Sequence, residues 1–152
     1  MVSFNHLLVF ALDDVRYALL LASVERVVRA VEITPLPDAP DIILGVINVQ
    51  GRIVPVADIR KRFRLPARGI ALSDQIVIAH IPSRPFALVA DTVYGIVECP
   101  EREIIASERI LPGLEYVEGI VKIDSGMILI HDLDKFLALD EEKSLEQVMK
   151  NA

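Results

Sequence analysis

Apolar residues along this chain fall in short runs separated by turn formers, the pattern of strands rather than of long helices. Leu7 to Leu12 and Val15 to Leu21 flank Asp13-Asp14, two polar turn formers that predict a tight hairpin. Gly45 to Val49 and Arg52 to Ala57 flank Gln50-Gly51 in the same way, and Asp58 then stands where its carboxylate caps a short basic helix. Ile76 to Ile81 and Phe86 to Ala90 enclose a turn around Ser83-Arg84-Pro85, and Val93 to Glu98 continues as strand. Asp124-Ser125-Gly126, between Val121 to Ile123 and Met127 to Ile130, is the clearest hairpin.

Three further stretches read as helical. Ser23 is placed to cap a turn through Val24 to Val28, where Val24, Val27 and Val28 have the i, i+3, i+4 spacing of one helix face. Asp132 is expected to cap a short helix ending near Leu139. Asp140 to Lys150 is a final helical segment with Leu145, Val148 and Met149 as its apolar stripe and Glu146 paired to Lys150. Pro35, Pro37 and Pro40 make Thr34 to Asp41 extended. Pro55 inside a strand predicts a free edge or a bulge there, because proline donates no ladder bond. Leu65 to Ser73 reads as an internal connection, and Pro100 to Pro112 as acidic and irregular, with Glu101, Glu103 and Glu108 exposed.

The pattern is written twice. Gly45 to Lys61 recurs 74 residues later as Gly119 to Lys135, keeping the leading glycine, most apolar positions, Asp58 as Asp132 and the final lysine. Upstream, Tyr17 to Val28 recurs 69 residues later as Phe86 to Val97, and Leu7 to Leu12 as Ile76 to Ile81. Two copies of one β-rich unit follow, about 4–70 and about 71–139, within a single domain over 1–152 that ends in a C-terminal helix over 140–152. Exchange of strands between the copies is left open.

Composition narrows the function. The 152 residues are 53% hydrophobic and 25% charged, a globular balance. A net charge of −6 argues against a general nucleic-acid binder, yet Arg60, Lys61, Arg62, Arg64 and Arg68 form a basic run that reads either as a solvated helix face or as a docking patch for an acidic partner. No apolar run reaches the ~20 residues of a membrane helix. A lone Cys99 and the absence of a leader before the first strand predict a reducing cytoplasm. Phosphate loops, paired cysteines and nucleophile elbows are missing, and neither Cys99 nor His80 has the neighbours a catalytic group needs. His131-Asp132 resembles a ligand pair, but its first-copy counterpart Ala57-Asp58 makes the aspartate a helix cap. No catalytic residue, metal or cofactor is expected, and the sequence reads as that of a protein that binds.

The central block Gly45 to Arg60, with Leu8-Val-Phe-Ala-Leu12, Tyr17-Ala18, Val24 to Val28, Val89-Ala-Asp-Thr-Val93 and Gly119 to Leu137, resembles the CheW family of bacterial chemotaxis coupling proteins over about Phe4 to Leu139. The resemblance implies a mainly β fold of two SH3-like five-stranded barrels packed on a shared hydrophobic core. It implies an adaptor without enzymatic activity, cytoplasmic and recruited to receptor arrays. Its implied partners are the cytoplasmic tip of methyl-accepting chemoreceptors and the regulatory domain of a CheA-type histidine kinase. Carried over, Val24, Glu25, Arg26, Val27, Asn48, Gln50, Gly51 and Arg52 form the receptor and kinase surface. Two departures stand out: Asn48-Val-Gln-Gly51 replaces the usual Asn-Leu-Arg-Gly, and Arg26 stands where the family commonly has Glu. They suggest a divergent scaffold serving another signalling assembly, and restoring arginine at 50 is expected to strengthen binding to a standard receptor and kinase. A small ligand-binding or enzymatic barrel using His131 and Asp132 is the alternative of a different class.

Overall fold

Eleven strands divide between two sheets in the computed structural model, which describes residues 4–106, 117–123, 126–137 and 139–150. The first sheet has six strands in the order β8 (Thr92–Pro100), β1 (Phe4–Leu12), β2 (Val15–Leu20), β11 (Gly126–His131), β10 (Val117–Ile123), β9 (Ile105–Ala106). The second has five, in the order β3 (Val24–Arg29), β6 (Gln75–Ile81), β7 (Arg84–Ala90), β5 (Arg52–Ala57), β4 (Ile43–Val49). Helix α1 (Ile59–Arg62) follows β5, and α2 (Leu139–Lys150) ends the described chain.

The two sequence copies do not correspond to the two sheets. The first copy supplies β1 and β2 to the first sheet but β3, β4 and β5 to the second, and the second copy does the reverse with β6 and β7 against β8, β10 and β11. The parallel pairings record the exchange, since Ile130 of β11 pairs with Ala18 of β2 and its counterpart Val56 of β5 pairs with Ala87 of β7, the counterpart of Ala18. The chain crosses between sheets at the 3₁₀ turn Leu21–Ser23 and again at Asp91.

Burial follows from this exchange. β1 is buried at every position from Leu7 to Leu12 because its two faces enter different cores. Leu8, Phe10 and Leu12 join a core built from both sheets with Val77, Phe86, Leu88 and Phe136, whereas Leu7 and Val9 meet Ala18, Val121, Ile128 and Ile130 inside the first sheet. β6 behaves alike, its Ile76 and Ile78 packing with Ile47, Val54 and Val56 inside the second sheet. A strand with two cores has no need of polar alternation. Among the described residues the first sheet has six strands rather than the expected five, and the ladders of neither sheet close into a ring.

Both repeat glycines mark a crossing. A Cβ on Gly45 would lie 2.2 Å from the carbonyl oxygen of Thr34, whose bridge to Val46 crosses the strand there. A Cβ on Gly119 would lie 2.6 Å from the Ile104 side chain beside β9. The hairpins match in register too, each shifting by one residue at the glycine, between Ile43 and Gly45 and between Val117 and Gly119. Pro55 sits in an internal strand, and the bulge lies at Gly45 instead. The proline is accommodated because its partner Val46 turns its own N–H and C=O away to Thr34, while the ladder to β7 holds only Val56 and Ala57.

The helical reading of Val24 to Val28 is corrected, since these residues are strand β3. Val24 pairs with Ala79 and Arg26 with Ile78, so Glu25 is an extra, bulged residue. The bulge offsets the period-two alternation by one, and Val24 to Val27 acquires the spacing of a helix face. Asp58 caps α1 as expected, accepting from the Arg60 and Lys61 N–H groups. After Asp132 the chain forms only the 3₁₀ turn Leu133–Lys135. Glu101 and Glu103 are exposed in a 3₁₀ turn before β9, and Glu108 lies outside the described residues. Helix α2 docks through fully buried Leu145, with Glu146 and Lys150 3.7 Å apart on its outer face.

Candidate functional site: two bulged edges of opposite chemistry

The residues expected to bind partners come together at one corner of the second sheet, where edge strand β3 meets the β4–β5 turn. That turn places Gln50 at φ 51° and Gly51 at φ 86°, the two positive values of a hairpin turn matched to strand twist, and the Asn48 Oδ1 accepts from the Gly51 N–H at 2.8 Å. The bulge at Glu25 aims its side chain at the turn, and the Arg52 Nη2 donates to the Glu25 Oε1 at 2.6 Å. That bond is the main cause holding the Glu25 carboxyl below its usual range, with burial opposing. The Arg26 Nη2 donates to the Gln50 Oε1 at 3.4 Å. His80 of neighbouring β6 has its Nε2 3.7 Å from the other Glu25 oxygen. Val24 and Val27 turn inward against the shared core. β3 and β4 are opposite edges of one sheet, so these contacts show the sheet curled until its ends lie within side-chain reach.

The same device recurs on edge strand β8. There Val93 pairs with Phe10 and Gly95 with Val9, leaving Tyr94 as the extra residue, 69 positions after Glu25. The chemistry is reversed. Tyr94 is 57% exposed under the Arg16 guanidinium, 4.9 Å from the ring centroid, and Ile96, counterpart of Val27, is 60% exposed. Val97 and Met127 are exposed as well. Taken residue by residue, the sequence does not single out Tyr94 and Ile96, although the 69-residue repeat carries Glu25 and Val27 onto them.

The basic run divides. Arg60 is 8% exposed, and its guanidinium binds both carboxylates of Asp13 and Asp91 at 2.8 to 3.2 Å, and the Pro66 carbonyl. Arg68 binds Asp74 at 2.7 Å and also Asp91. Asp91 is held below the usual carboxylate range: burial works against this, and the Asp13 N–H and the two guanidiniums outweigh it. Arg62 pairs with Glu141 of α2 and covers the Phe136 ring, and Lys61 donates to the Asp41 carbonyl at 2.9 Å. Lys61, Arg64 and Arg68 of the run are exposed, and Arg60 is drawn inward by the aspartates at the two turns. Of the expected acidic-partner patch, Arg60 and Arg62 are engaged by carboxylates of the chain, and Lys61 and Arg64 are exposed.

His131 is 2% exposed among Phe63 and Phe136, and neither ring nitrogen has a hydrogen-bond partner among the described residues. Burial, with Arg62 nearby, pushes its pKa down to about 3. A neutral ring enclosed by aromatics is core material. Among the described residues no three His, Cys, Asp or Glu side chains gather in metal-binding geometry.

Comparison with known proteins agrees with this architecture. Residues 6–141 match the model of the CheW-like domain. The chain is 27% identical over 142 residues to the chemotaxis protein CheW of Rhizobium meliloti, covering 92% of each chain, and 28% identical to that of Bacillus subtilis, covering 96% of this chain and 94% of the other. The crystal structure of the scaffolding protein TtCheW from Thermoanaerobacter tengcongensis superposes with a TM-score of 0.83 at 32% identity, covering 91% of this chain and 96% of that one. By its matched domain, its relatives and its fold, the chain belongs to the CheW family.

Proposed function

We propose that this protein is the cytoplasmic adaptor of a bacterial chemosensory assembly, coupling methyl-accepting chemoreceptors to the regulatory domain of a CheA-type histidine kinase by binding rather than catalysis. The observation that carries the reading is the pair of bulged edges. An adaptor needs two surfaces that do not compete for one partner, and the duplicated backbone offers the same device twice with opposite chemistry. The two curled sheets act as SH3-like barrels. A helical receptor tip lies along the exposed apolar edge of β8, where Tyr94, Ile96 and Val97 supply anchors, the mode by which an amphipathic helix enters a groove. The kinase domain docks end-on at a hairpin turn such as Asn48 to Arg52.

Titration of the purified chain against the kinase regulatory domain and the receptor cytoplasmic fragment encoded in the same organism, by calorimetry, tests this. Micromolar binding of each, about −8 kcal/mol, with both retained in one complex, is the expected result. Mutual displacement of the two partners would remove the two-surface reading.

A further inference from the structure

The two departures from the family pattern meet in space. Arg26 and Gln50 lie on different hairpins, 24 residues apart, yet their side chains touch at 3.4 Å. Where the family has Glu and Arg at these positions, two opposite charges would face each other across this corner and leave it neutral. Here a guanidinium faces a neutral amide. Glu25 also feels Arg26, but its carboxylate is hydrogen-bonded by Arg52 at 2.6 Å and has His80 at 3.7 Å, so one carboxylate faces two guanidiniums. Among the described residues Arg26 makes one side-chain hydrogen bond, a long one, and it is exposed on an edge strand. The corner therefore carries one uncompensated positive charge on a chain whose net charge is −6.

We propose that the Arg26–Gln50 pair is the specificity determinant of this adaptor, and that the kinase regulatory domain docked at this turn presents a carboxylate to Arg26. The inference rests on the adaptor reading and names the chemistry of one contact within it. Guanidinium binds carboxylate through paired, directed hydrogen bonds, and Gln50 lends Arg26 orientation without neutralising it. A carboxylate at 26 would meet the partner's carboxylate instead, and like charges face to face exclude a partner by several kcal/mol. The expectation that arginine at 50 alone restores family behaviour is revised on the same ground, since Gln50→Arg sets two guanidiniums side by side.

The test is a cycle of wild type, R26E, Q50R and R26E/Q50R. Each is titrated against the kinase regulatory domain and the receptor fragment of the same organism, and against those of a relative whose adaptor has Glu and Arg at these positions. With the organism's own kinase regulatory domain, R26E is expected to weaken binding about tenfold or more, equal to about 1.4 kcal/mol, with a loss that shrinks as salt rises. With the relative's partner, R26E/Q50R is expected to gain about tenfold over wild type while Q50R alone gains nothing. An R26E affinity within about twofold of wild type would overturn the proposal, as would a gain from Q50R alone equal to that of the double variant. Wild type binding none of the partners would instead overturn the adaptor reading, and this inference with it. Both positions are exposed, and thermal unfolding of the four chains supplies an independent check: non-additive midpoints are expected for a coupled pair, and additive ones would show that 26 and 50 do not interact.

Discussion

The edges at β3 and β8 share a backbone and differ in everything that meets solvent. Each carries one bulged residue at the same place in the repeat, Glu25 or Tyr94, and each lies against an inward-facing valine, Val24 or Val93. On β3 the outward positions are Glu25, Arg26 and Arg29, charges that keep an open edge from pairing with another chain. On β8 they are Tyr94, Ile96 and Val97, a stretch of exposed apolar surface of the kind that marks a docking site. Duplication fixed the geometry, because the bulge and the crossing glycine are demanded by packing. It left the outward side chains free to diverge, because they lie outside the cores and touch only other surface side chains.

The largest effect is expected where that shared geometry is broken. Gly45→Ala would drive a Cβ into the backbone of Thr34, which cannot give way without moving its bridge to Val46, and a loss of about 3 kcal/mol or more is expected in urea denaturation. At the counterpart Gly119→Ala the obstacle is the end of the Ile104 side chain, so a loss of about 1 kcal/mol is expected. Equal losses would mean that the two crossings are alike and that the asymmetry between the copies is confined to the surface.

A second difference lies inside, where first-copy Ala57 is matched by His131. With a folded-state pKa of about 3 against about 6.5 when unfolded, the unfolded chain binds the proton more readily between these values. Stability is therefore full above about pH 6.5 and declines as pH falls toward 3, by about 2 to 3 kcal/mol at pH 4.5. His131→Leu should flatten that part of the stability curve, and an unchanged slope would place the acid sensitivity elsewhere.

An effect on binding alone sharpens the surface comparison. Ile96→Asp should leave folding intact, since the side chain is 60% exposed, and weaken the partner on β8 by about tenfold, while the R26E change spares that partner. If both substitutions weaken one and the same partner, the edges form one continuous interface.

Much of this molecule was legible in its residues. Each hairpin was written in its turn formers, the Asp58 cap in one carboxylate before a basic turn, and the duplication in two constant offsets, because these depend on neighbours near in sequence. The β3 strand was misread because a bulge, which exists only against a partner strand, gave Val24 and Val27 helical spacing. The Arg60 charge cluster was hidden because Asp13 and Asp91 are remote in sequence and meet it only where the chain crosses between sheets. Local patterning determined the strands, their turns and the repeat. Which copy's strands pair, which arginines are buried and which departures touch were decided by the exchange of strands, since two half-sheets bury their double faces only by borrowing from each other.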